Sequence, residues 1–198
     1  MKIGEARNLY STQLHAFWNQ KLSLAKQKKE LEQKMKANPS AKEQYAEEAA
    51  TLELSYNAVT KKYDEYHSFM EQVMEMHTAY FNAEASKQQG EALEEAAVDL
   101  AKIMEVARRI AKGAKVPSTD EQKLMEYSME LYMSAKNMAV LNELKEKEEY
   151  DSLWGEEEDT ENPDPDDVAN NAEVNFDTPE IVNVGDVMAS AGDGEISE

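Results

Sequence analysis

Apolar residues recur through the middle of this chain at alternating steps of four and three. From Tyr45 the series runs through Ala49, Leu52, Tyr56, Val59, Tyr63, Tyr66, Met70, Val73, His77 and Tyr80. An a/d repeat held for about five heptads predicts a long helix with a coiled-coil seam. Met74 and Phe69 widen the seam, while Glu65, Glu71 and Glu75 fall off it on a solvated face. Nearer the N-terminus, Ile3, Tyr10, Leu14, Phe17, Leu24, Leu31 and Met35 keep the same spacing, with Arg7, Lys21 and Lys28 interrupting one core position.

Proline and glycine place the breaks. Before residue 155 the only prolines are Pro39 and Pro117, and the only glycines are Gly4, Gly90 and Gly113. Each proline precedes a capping-box pattern, Ser40 with Glu43 and Ser118 with Glu121, in which a hydroxyl and a carboxylate satisfy the free amides of a first helical turn. Gly113 suits a helix C-cap, and Arg108, Arg109 and Lys112 complement the dipole of the helix it ends. Helices are therefore predicted at 3–37, 41–112 and 118–152. After Tyr80 the seam positions turn charged, and a new set starts one residue out of phase: Leu93, Ala97, Leu100, Met104, Ala107 and Ala111. Gly90 lies in the transition, so a bend or break is expected there.

The third helix is apolar on more than one side. Leu124, Met125, Tyr127, Met129, Leu131, Tyr132, Met133, Met138, Val140, Leu141 and Leu144 cover more than a single stripe, and every apolar face must be covered by something. A bundle core satisfies this need, and so does a partner or a second copy. Methionine adapts to variable surfaces, which makes Met125, Met129 and Met133 candidate partner-binding residues.

Charge changes the picture in two ways. Residues 1–42 carry nine bases and three acids, and residues 43–84 carry two bases and nine acids. A short turn between segments of opposite charge reads as an antiparallel helical hairpin, which brings Phe17 to the region of Tyr56 to Tyr63; a solvated basic face, or one turned to an acidic partner or lipid headgroups, is the other reading. The second feature is the C-terminus: residues 155–198 hold 15 acids, no base and three of the five prolines. That composition predicts a disordered acidic tail. Inside it, residues 174–188 are more apolar than a spacer needs. Phe176, Ile181 and Val182 are candidate partner-binding residues, through strand addition to another protein's sheet edge, or else part of an ordinary disordered segment.

Candidate chemistry is sparse. The run "EYHSFMEQVMEMHTAYF" holds His67 and His77, but ten residues separate them, and Asp64-x-x-His67 occurs once where a di-iron bundle needs paired Glu-x-x-His motifs. His77 reads as a hydrogen-bonded seam position, with pH sensing as a second role open to it. The chain has no cysteine, which excludes disulfides and thiolate chemistry, and no phosphate loop or nucleophile elbow. The acidic tail repels phosphate backbones, so nucleic acid is not expected as a partner. No apolar run nears the ~20 residues of a membrane span, and "MKIGEARNLY" lacks a secretory h-region. A cytoplasmic location is expected, with export by an uncleaved signal left open.

These readings combine into an all-α chain: an elongated three-helix coiled-coil or hairpin bundle over 1–154, then the tail. No cofactor or metal is expected, and stable membrane insertion is not. The function expected is that of a non-enzymatic scaffold, adaptor or assembly chaperone with a protein partner, with homo-oligomerisation left open. The alternative is a structural subunit or export substrate of a cell-surface or phage assembly. A helical-bundle metal-binding protein ranks last.

Overall fold

The computed structural model describes residues 1–38, 40, 43–140, 148–155 and 161–192. Among the described residues there are six helices and no named strand: α1 (Ile3–Ala37), α2 (Ala46–Ala111), α3 (Ser118–Tyr127), α4 (Met129–Val140), α5 (Pro165–Asn171) and α6 (Val184–Gly192). The chain divides into two compact units, one of Met1–Glu84 with Asp164–Glu198 and one of Ala85–Pro163. Most of the tail, from Asp164 onward, thus belongs with the N-terminal helices.

In the first unit α1 and the first half of α2 form the expected antiparallel hairpin. The ring pairs fix the direction: Tyr10 meets Phe69, Phe17 meets Tyr66 edge-on at 5.4 Å, and Trp18 meets Tyr63. Farther along, Lys28 pairs with Glu53 and lies over the Tyr56 ring. The numbers rise on α1 as they fall on α2. Phe17 therefore sits beside Tyr66, slightly past the Tyr56 to Tyr63 span that the seam spacing implies. Phe17, Tyr10, Leu24, Val59, Tyr66 and Val73 are at most 1 % exposed, and burying each such side chain contributes about 1.5–3 kcal/mol.

The tail corrects the largest expectation. Residues 161–192 are not an unstructured spacer. Asp164 caps α5 by accepting from the Asp166 amide, with Pro165 in the first turn. Residues 172–183 then run across the hairpin, and Asn183 accepts from the Gly185 amide at the start of α6. Phe176 packs edge-on against Phe69, and Val174, Val182, Val184, Val187 and Met188 join the same core. The apolar segment read as a motif for a foreign partner is docked on its own chain. At the N-terminus the Ile3 amide, a free donor of α1, gives its hydrogen to the Ala172 carbonyl, and the Val174 amide donates to the Met1 carbonyl. Gly4 permits this approach, because a β-carbon there would stand 3.3 Å from both Cβ and the carbonyl oxygen of Asn170.

Helix boundaries differ from the sequence reading at four places. α2 begins at Ala46 rather than 41, after a turn over 43–45. It runs through Gly90 without a break; no side chain crowds that position, and the flanking residues are strong helix formers. The predicted helix 118–152 is interrupted at Ser128, which turns extended (φ −159°, ψ 105°) and accepts from the Leu131 amide to cap α4. The part of the expected helix at 141–147, with Leu141 and Leu144, lies outside the described residues, and 148–155 is not helical.

In the second unit Gly113, at φ 85°, closes α2. Its amide donates to Ile110 and the Ala114 amide to Arg109, the paired bonds of a Schellman ending. Ser118 makes no side-chain cap; Glu121 instead accepts from the Tyr132 hydroxyl and the Lys136 ammonium. The core consists of Ile103, Val106, Ala107 and Ile110 from α2, with Leu124, Ala135 and Trp154. This face shares only the end of the expected stripe, Ala107 and Ala111, and otherwise lies beside it: Leu93, Leu100 and Met104 are exposed.

Candidate protein-interaction surface

The second unit is held closed by two carboxylates. Asp120, fully buried at the start of α3, accepts from the Ser152 hydroxyl at 2.6 Å and from the Leu153 amide at 3.0 Å. Asp99 on α2 accepts from the Trp154 indole at 3.0 Å. Lys123 and Lys102 stand over that indole ring, where the π-face attracts cations. Residues 152–154 are thereby drawn onto α2 and α3, which is why they do not continue a helix. Upstream, Arg109 lies over Tyr150, and the Lys115 amide and carbonyl bond to Glu148 and Tyr150.

With the inner face of α4 committed at Ala135, its outer face is open. Met129, Met133 and Val140 are 56, 53 and 62 % exposed, and their spacing of four and seven places them on one side of the helix. Tyr127 and Met138 are exposed nearby in sequence. Of the three candidate methionines, α4 brings Met129 and Met133 together, while Met125 is half-buried on α3. Val140 also borders a concavity of about 490 Å³ between the end of α2 and α4, lined by Ile110, Val116, Glu121 and Lys136 among others. Burial pulls the Lys136 ammonium down, but the Glu121 carboxylate and the Tyr132 oxygen outweigh that and hold it above its ordinary range. The lining is therefore mixed: Lys136 is paired with Glu121 and Lys115 with Glu149, among Ile110, Val116, Ala139 and Val140.

The tail candidates have another place. Phe176 and Val182 are half-buried in the first unit, and only Ile181 of that trio is exposed, at 38 %. Burial and the neighbouring Tyr66 and Glu65 raise the Tyr10 hydroxyl above the usual phenol value, and that hydroxyl donates to the Pro179 carbonyl beside them.

The histidines differ. His67 is exposed, stacked on Tyr63 and 3.7 Å from Glu71. His77 is buried, and its Nε2 stands 3.1 Å from Asp166 Oδ1 on α5, off the alignment of a hydrogen bond. Among the described residues no three His, Asp or Glu side chains gather as a metal-binding group, and no helix is long and apolar enough to cross a membrane.

Sequence reasoning missed the Asp120 and Asp99 anchors. The signal was a Leu-Trp pair in an acidic run, "DSLWGEEE", since a large aromatic there needs a place to bury. No protein-family model, no curated protein and no solved structure matches this chain.

Proposed function

We propose that the protein is a non-enzymatic helical interaction protein, a scaffold, adaptor or assembly chaperone that receives a protein partner on the outer face of α4. The observation that carries this reading is the alignment of Met129, Met133 and Val140, each more than half exposed, on a helix anchored from behind. Contiguous exposed apolar surface is costly to leave in water and commonly marks an interaction site. Methionine supplies area without demanding one partner shape. The adjacent concavity beside Val140, with its mixed polar and apolar lining, adds relief to that face.

The test is cross-linking and recovery from the native cell with the full chain, comparing wild type with Met129→Glu/Met133→Glu. Both positions are exposed, so the fold is retained. A partner recovered with wild type and lost with the variant supports the reading. Equal recovery by both, or none by wild type, overturns it. A structural subunit of a larger assembly would instead grow in mass without limit as concentration rises.

A further inference from the structure

The second half of α2 carries a separate apolar surface. Leu93, Leu100 and Met104 are 66, 43 and 52 % exposed, and Ala97 between them is exposed as well. Their steps of four, three and four are those of a coiled-coil seam. The helix buries Ile103, Val106 and Ile110 against its own unit, and this stripe lies roughly 100° farther round, by the 3.6-residue turn.

We propose that this stripe pairs with the same stripe of a second copy of the chain, the two helices running antiparallel. The charge order along α2 selects both the occupant and the direction. Glu91, Glu94, Glu95 and Asp99 fill the stretch before Leu100, and Lys102, Arg108 and Arg109, with Lys112 just past the helix end, outnumber Glu105 in the stretch after it. A parallel copy would set acid beside acid and base beside base. An antiparallel copy sets each acidic stretch beside the basic one.

Register follows from the apolar residues. Leu93 of one copy layers with Met104 of the other, and Ala97 with Leu100, around a two-fold axis. The open flank of the stripe holds Glu94, Ala101 and Arg108, seven residues apart. In this register Glu94 of each copy comes alongside Arg108 of the other, so the pair forms twice. Arg108 is half-exposed and gives Nε and Nη2 to Glu105; a guanidinium has five donors, so the outward ones can serve the second copy. Ala97 and Ala101 let the backbones approach closely near the axis.

The experiment is sedimentation equilibrium of the full chain from low micromolar to millimolar concentration, at low and high salt. A monomer–dimer equilibrium weakened by salt is expected. Leu93→Glu/Leu100→Glu should weaken it at least about tenfold, with an unchanged helical circular dichroism spectrum as the folding check. Glu94→Arg alone should weaken it and Glu94→Arg/Arg108→Glu should restore it. Mixing Ala97→Cys with Leu100→Cys chains, which have no other cysteine, should give an intermolecular disulfide. A chain that stays monomeric at millimolar concentration overturns the proposal. So does a dimer indifferent to the leucine variant, which would put the interface elsewhere, or one that the charge reversal fails to restore.

Discussion

The amide of Val182 donates to the Tyr66 hydroxyl at 3.0 Å, and that same hydroxyl donates to the Glu180 carbonyl at 2.9 Å. One buried phenol on α2 thus satisfies two main-chain groups of a segment more than a hundred residues away. The bonds are what a strip outside helix and sheet needs, because its main-chain polar groups must be paired somewhere. Tyr66→Phe keeps the ring and its contact with Phe17 while leaving both groups without their partner. The expected cost is about 1–3 kcal/mol. Hydrogen exchange at the Val182 amide should accelerate, with little change at Val59. An unchanged Val182 rate would show that the strip is held by apolar contacts alone.

Removing residues 164–198 tests the whole dock. A solvated acidic tail could be deleted at little cost. Here its deletion uncovers Phe69, Ile3 and Tyr10 and leaves the Ile3 amide without the Ala172 carbonyl. The truncated chain should melt well below the full one and bind a hydrophobic dye. Equal melting temperatures would contradict the packing of Phe176 on Phe69.

The hairpin was legible in the sequence, and the tail was not, for one physical reason. The seam from Tyr45 to Tyr80 repeats over many turns, so periodicity accumulates. The tail's contacts are single anchors, Phe176, Val182, Val187 and Met188, spread over a non-repeating strip. Composition averaged over 155–198 hid them behind 15 carboxylates. Local signals were present all the same. Asp164 before Pro165, with Asp166 and Asp167 after it, is a helix start, and Asn183 before α6 is another. On α2 the stripe from Leu93 to Met104 has good spacing, yet the intramolecular core chose Ile103, Val106 and Ile110. Periodicity finds an apolar face, and which neighbour covers it depends on tertiary geometry. Ser128 hid the break between α3 and α4 because a serine within a helical pattern is usually tolerated.

Glu105 makes the acid limb of stability sensitive to one side chain. Hydrogen bonds from Arg108 first, then Arg109, hold its carboxyl down to about 2 from an ordinary 4.5, against some opposing desolvation. A depressed carboxyl contributes stability that is fully present above its unfolded value and is lost as pH falls toward the folded one. The melting-temperature gap between wild type and Glu105→Gln should be constant above about pH 4.5 and shrink between about 4.5 and 2. A gap that stays constant through that range would show that the Arg108 and Arg109 bonds do not distinguish the folded carboxylate.

Asp120 gives the sharpest local test, because it is fully buried and, apart from the adjacent Thr119 hydroxyl, its partners are in one short strip. Asp120→Ala removes an acceptor of the Ser152 hydroxyl, which keeps the Trp154 carbonyl, and the acceptor of the Leu153 amide, and that amide left unpaired costs about 1–3 kcal/mol. Residues 152–154 should lift away from α3 and carry the Trp154 indole off Asp99 and into water. Trp154 is 8 % exposed while Trp18, the other tryptophan, is 43 % exposed. In a Trp18→Phe background the emission therefore reports Trp154 alone. Asp120→Ala should shift that emission to the red and raise its quenching by acrylamide. Asp120→Asn keeps one carbonyl acceptor and should fall between the two. An emission spectrum unmoved by Asp120→Ala would mean that the indole is retained by Asp99 and the flanking lysines, and that Asp120 only orders the start of α3.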